Sequence, residues 1–111
     1  MTADASPVNV IGGTCCSNHA RKMHFNRYES GTVKITRNNH TIYDSNVNST
    51  GIYYYPGEQF YYDSVYRYYN CKNEMMYTFA SYVNSSGVRR YIMTSYDGGN
   101  GQTYVDGINV Y

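Results

Sequence analysis

Few side chains here are of the kinds that carry covalent chemistry. Cys15 and Cys16 are adjacent, and His19 and His24 follow within a few residues. A thiol hydrolase needs a thiolate beside an imidazole base, and a zinc site needs ligands converging on one ion. The spacing serves neither. Neighbouring cysteine side chains diverge, and no ligand pair stands at a CxxC or HxxxH interval. The carboxylates Glu58, Asp63, Glu74, Asp97 and Asp106 show no paired arrangement for acid–base work and read as solvated surface groups. No glycine-rich phosphate cradle is present. The sequence therefore predicts a chain that catalyses nothing and holds no metal or cofactor.

The chemistry on offer is recognition. The chain has 16 Tyr against 3 Phe and no Trp. Tyrosine favours strands and packs its ring while keeping its hydroxyl near water. Most of these residues should build sheet faces, and the surplus suits a ligand surface of rigid amphipathic rings. A net charge of +1, with 15% of residues charged, gives no electrostatic footprint for nucleic acid or an anionic membrane.

The elements that must position these residues are short strands. Residues 1–27 read as an arm or linker, with a short helix from Ser17 to Phe25, and residues 28–111 as the domain. Thr32 to Thr36 alternates, with Val33 and Ile35 on one face. His40 to Tyr43 and Gly51 to Tyr55 are extended pieces, the latter leading into the turn dipeptide Pro56-Gly57. Gln59 to Tyr68 is the longest candidate strand. Met76 to Val83 and Val88 to Thr94 form a hairpin through Asn84 to Gly87, with Gly87 placed for positive φ. Asp97 to Gly101 reads as a loop before a last strand ending at Tyr111. About 5–7 short strands with almost no helix indicate an all-β domain, a small barrel or sandwich. Three cysteines form no even disulfide framework; one of Cys15 and Cys16 could reach Cys71, which would leave one thiol free, and the sequence leaves that bridge open. No stretch has the length of a membrane-spanning helix, and Met1 to Pro7 shows no signal peptide. Secretion or release by lysis is expected.

An ordered set of residues then resembles the bacterial SH3-type cell-wall-targeting domain of lysostaphin-like peptidases and phage endolysins. Gly57, Glu58, Phe60, Tyr62, Asp63 and Val65 fit one strand of that family, and Phe79, Tyr82, Ser86, Gly87, Arg89 and Tyr91 fit the following hairpin. Glu29 to Val33 and His40 to Tyr43 look like its first strands, and the resemblance runs from Tyr28 to Tyr111. The chain departs from the family at Phe79 and Ile108, where tryptophans are usual, at Ser64, where an acid often stands, and in the longer Tyr69 to Glu74 connection.

The resemblance implies a small SH3-like barrel that binds peptidoglycan, by its stem peptide or cross-bridge, at the bacterial wall. It implies a catalytic hydrolase domain or subunit as partner, as in a Gram-positive-targeting endolysin or bacteriocin. By position, Tyr91 is the best-matched contact, Tyr43 stands where the family often has Arg with Thr41 beside it, Ser64, Tyr66 and Ile108 complete a rim, and Tyr28 is a looser match. Tyr62 and Tyr82 are expected to build the sheet. The competing expectation is an SH3-like protein–protein or assembly module of a virion or surface complex, with self-association possible.

Overall fold

The structure is a computed structural model and describes residues 21–111. Cys15, Cys16, His19 and most of the expected arm and helix lie outside those residues. The described residues form eight strands and no helix: β1 (His24–Ile35), β2 (His40–Tyr43), β3 (Ser49–Tyr54), β4 (Gln59–Asn70), β5 (Met75–Val83), β6 (Arg89–Gly98), β7 (Gly101–Tyr104) and β8 (Ile108–Val110). They make one sheet in the order β3-β2-β6-β5-β4-β1-β8, with β7 also paired to β6. All pairings are antiparallel. The all-β, barrel-like fold expected from sequence is what forms, with eight strands in place of the expected five to seven.

The strands differ from that expectation at both ends of the described chain, and the extra strand comes from the second difference. At the start, His24 and Phe25 belong to β1 rather than to a helix, and the strand begins before the expected boundary at Tyr28. Little alternation marks this stretch because its side chains are mostly exposed. It is a strand because its backbone pairs with β4, with irregularities between Phe25 and Arg27 and between Tyr28 and Gly31. At the other end, β6 runs through the expected loop as far as Gly98 and turns directly into β7. The chain then crosses to the far edge, where β8 pairs with β1.

That crossing is tightly built. Gly107 has φ of 86°, and a Cβ there would stand 2.2 Å from the Arg37 carbonyl oxygen. The amides of Thr36 and Arg37 donate to the Gly107 carbonyl at 2.8 and 3.3 Å, and the Arg37 side chain pairs with Asp106. The Asn84–Gly87 turn forms as read, with Gly87 at φ 79°. The Asn84 side chain accepts the amides of Ser86 and Val88, each at 3.0 Å.

Two apolar clusters form on opposite faces of the sheet. The barrel interior holds Val33, Ile35, Ile42, Phe60, Tyr62, Val65, Ala80 and Ile92, with Tyr54, Tyr82 and Ile108 packed against them. Tyr54 stacks on Phe60 at 4.8 Å, and Tyr62 and Tyr82 do build this core. The outer cluster holds Met23, Val47, Tyr68, Phe79 and Tyr91, flanked by Tyr43, Tyr66, Tyr77 and Met93. Strand β4 serves both faces because consecutive residues Ser64 and Val65 are buried on opposite sides. Cys71, in the β4–β5 connection, is disulfide-bonded.

Candidate functional site

The outer cluster lies beneath the aromatic residues singled out from sequence. Antiparallel register places directly opposed residues on the same face. Following the register across the sheet, Tyr43 opposes Tyr91, Tyr91 opposes Ser81, Ser81 opposes Ser64, and Ser64 opposes Tyr28. Residues far apart in sequence thus form one row over five strands. Tyr66, two residues on from Ser64, joins it: its ring meets Tyr91 edge-on at 5.0 Å and Phe25 edge-on at 5.6 Å. Phe25 continues to Tyr28 at 4.8 Å, and Tyr43 meets Phe79 edge-on at 5.6 Å.

Exposure grades along this strip. Tyr91 is buried, Tyr43 and Tyr66 are half-buried, and Tyr28 is 85% exposed. The gradient separates roles. Tyr91 forms the floor, and burial, followed by the nearby Tyr66 phenol, raises its pKa. Tyr43, Tyr66, Phe25 and Tyr28 offer ring area to a partner. Because Tyr91 is buried in the outer cluster, Tyr91→Ala removes packing contacts as well as any ligand contact. Tyr91→Phe isolates the hydroxyl.

The middle of the strip is polar and locked. Arg89 stands two residues before Tyr91 and shares its face. Its Nη1 donates to Asp63 at 2.7 Å, to Ser64 Oγ at 2.9 Å and to Ser81 Oγ at 3.0 Å. The guanidinium also lies 5.8 Å from the Tyr66 ring centre. The Arg89 hydrogen bond holds the Asp63 carboxyl below its ordinary range, with a smaller contribution from Ser64. Asp63 and Asp106 are therefore ion-paired rather than merely solvated. Their partners, Arg89 and Arg37, stand too far away in sequence for spacing to show them.

A lowered folded-state pKa means that this pair stabilises the fold above the unfolded carboxyl's pKa and loses that contribution as pH falls through the folded value. Asp63 is more than half exposed, so solvent screens the pair. Arg89→Met is expected to cost about 1 kcal/mol at neutral pH. Urea unfolding should show the gap between wild type and variant shrinking as pH is lowered below the ordinary carboxylate range. An unchanged gap would mean that Asp63 contributes nothing through its charge.

The other expected contacts divide. Thr41 shares the alternate side of β2 with Tyr43, at the edge of the strip. Ile108 does not belong to it: it packs against the barrel interior from β8. An ungapped comparison with the family set Ile108 beside the others, but the chain crosses to β1 before reaching it. Sequence reasoning left out Phe25, Ser81 and Arg89 as site residues. The step of two from Arg89 to Tyr91 was a usable signal for Arg89, whereas Ser81 needed the strand register. Among the described residues, no cluster of His, Cys, Asp and Glu could hold a metal ion.

No protein-family profile matches the chain, and no curated protein matches it. Among solved structures it is similar to Ly7917. One comparison, with the crystal structure of Ly7917, gives a TM-score of 0.58 at 28% identity over 77% of this chain. A second, with Ly7917 holding the hydrolyzing product of MDP, gives 0.59 at 25% identity over 81% of this chain. The matched region spans only 35% and 37% of the two Ly7917 chains.

Proposed function

We propose that this chain is a non-catalytic cell-wall-binding module of the bacterial SH3 type, which holds a peptidoglycan hydrolase against a Gram-positive wall by gripping the stem peptide or cross-bridge. The observation that carries the reading is the row from Tyr43 through Tyr91, Ser81 and Ser64 to Tyr28, joined by Tyr66. A short polar peptide presents backbone donors and acceptors and little side chain. Flat tyrosine faces cover such a chain while hydroxyls take its hydrogen bonds. The similarity to Ly7917 supports the same reading, since MDP, muramyl dipeptide, is a peptidoglycan fragment. A single module of this kind reaches about micromolar affinity, or about −8 kcal/mol. A repeating wall polymer raises the effective strength when modules are linked.

Cosedimentation with purified Gram-positive walls tests the proposal. The wild-type domain should be retained. Tyr43→Ala, on a half-buried ring at the strip's edge, should weaken retention about tenfold, equivalent to about 1.4 kcal/mol, with an unchanged circular dichroism spectrum. Failure to bind walls from several hosts, or release of soluble wall fragments by the domain alone, would overturn it. The alternative, an assembly module, draws on the exposed Ile52 and Tyr53 of β3 and the adjoining Tyr55. A concentration-dependent mass without wall binding would favour it.

A further inference from the structure

A cavity of about 390 Å³ opens on the face of the sheet opposite the aromatic strip. Its inner wall is Tyr62, Val65 and Ala80, all members of the barrel core. Val65 and Ala80 alternate along their strands with Ser64 and Ser81, so the two surfaces are separated by the thickness of the sheet. Strands β1, β7 and β8 complete the wall, through Arg27, Glu29, Gln102, Tyr104 and Val110. The volume falls within the range of small-ligand sites.

Charge in this cavity is unevenly satisfied. Arg27 and Glu29 neutralise each other at 3.0 Å, and the second Glu29 oxygen accepts the Tyr62 hydroxyl at 2.9 Å. Gln102 is engaged by Ser95 at 3.0 Å. Arg67 is different. It lines the cavity and forms no ion pair with any described residue. Its Nε is buried with no hydrogen-bond partner among the described residues. Glu74 and Asp97 line an adjoining depression that Arg67 also borders, but neither comes within ion-pairing distance of it.

An unsatisfied buried donor on a charged group is unfavourable and rare in native structures. A guanidinium presents Nε and one Nη side by side, a fork that matches the two oxygens of a carboxylate. In the rotamer seen, Nε is covered. Rotation about the last side-chain bonds toward the cavity would exchange that unsatisfied N–H for a paired, charge-assisted one. The surrounding hydroxyl groups of Thr78, Thr94 and Tyr104 suit a polar rather than a hydrocarbon remainder.

We infer that this cavity is a second binding site, taking the terminal carboxylate of a short polar peptide on Arg67. It uses different residues from the aromatic strip and stands whether or not the strip binds peptidoglycan.

The test is an NMR titration of the intact chain with acetyl-alanyl-alanine, its C-terminal amide, and acetate. The acid should shift the Arg67 Nε–Hε resonance saturably and bind at least tenfold more tightly than either the amide or acetate. Arg67→Gln should lose at least tenfold in affinity for the acid, while Arg67→Lys, keeping the charge without the fork, should fall between. Tyr43→Ala should leave this titration within twofold of wild type, which separates it from the wall-binding proposal. Equal binding of acid and amide, equal binding of acetate, or no saturable shift at Arg67 would overturn the inference. So would shifts confined to Tyr43 and Tyr66.

Discussion

Phe79→Ala is expected to destabilise the domain by about 3–5 kcal/mol, the range for removing a fully buried aromatic ring. Phe79 has no exposed surface. It lies in the outer cluster with Met23, Val47, Tyr68 and Tyr91, and its ring supports Tyr43 edge-on. The loss would consume much of the stability of a domain this small, which is about 5–15 kcal/mol in ordinary cases. Urea unfolding should show the lower midpoint, and wall retention should fall with the fraction folded. A loss below about 1 kcal/mol would show that the strip is not seated on Phe79. Phe79→Trp, a larger ring at the same position, should cost about 1–3 kcal/mol through overpacking, because Tyr43 and Tyr91 already fill the surrounding space.

Gly107→Ala should cost about 2 kcal/mol or more, combining a left-handed backbone with a clash against main chain. The colliding atom is the Arg37 carbonyl oxygen at 2.2 Å, which cannot swing away as a side chain would. Gly87 is the internal control. It too has positive φ, but a Cβ there meets nothing within 4 Å, so Gly87→Ala should cost about 1 kcal/mol. Hydrogen exchange should locate the damage. Thr36 donates its amide to Gly107, while Thr32 and Tyr111 exchange bonds between β1 and the segment after β8. These amides should lose protection while the β4–β5 ladder keeps its own. Equal costs at the two glycines would mean that the crossing yields more easily than its contacts indicate.

The parts of the fold legible in the sequence were those where side chains alternate or turns need particular residues. Val33 with Ile35, the Asn84–Gly87 turn and the long run from Gln59 belong to that class. What escaped was set by backbone pairing at a distance. The first half of β1 is a strand because β4 lies beside it, not because its exposed side chains alternate. The split of the last strand into β7 and β8 depends on Gly107 meeting Arg37, a contact that no local window contains. The same distinction applies to the site. The register brings Tyr43, Tyr66 and Tyr91 together on one face, whereas Ile108, expected beside them, packs against the barrel interior. The partners of Arg89 and the unpaired state of Arg67 took shape only once the register fixed their neighbours.

The pairing of β8 with β1 joins the two ends of the described chain through Val33 and Val110. Contacts so distant in sequence form late, because the loop-closure entropy must be met before they return any stabilisation. Hairpins such as β4–β5 and β5–β6 can assemble locally, and β1 can then dock on β4. Its other edge remains open until Ile108–Val110 arrives. During that interval the stretch around Val33 and Ile35 offers unpaired main chain to any neighbouring molecule. Crowded refolding therefore favours strand exchange between chains, and dilution governs how much protein reaches the closed form.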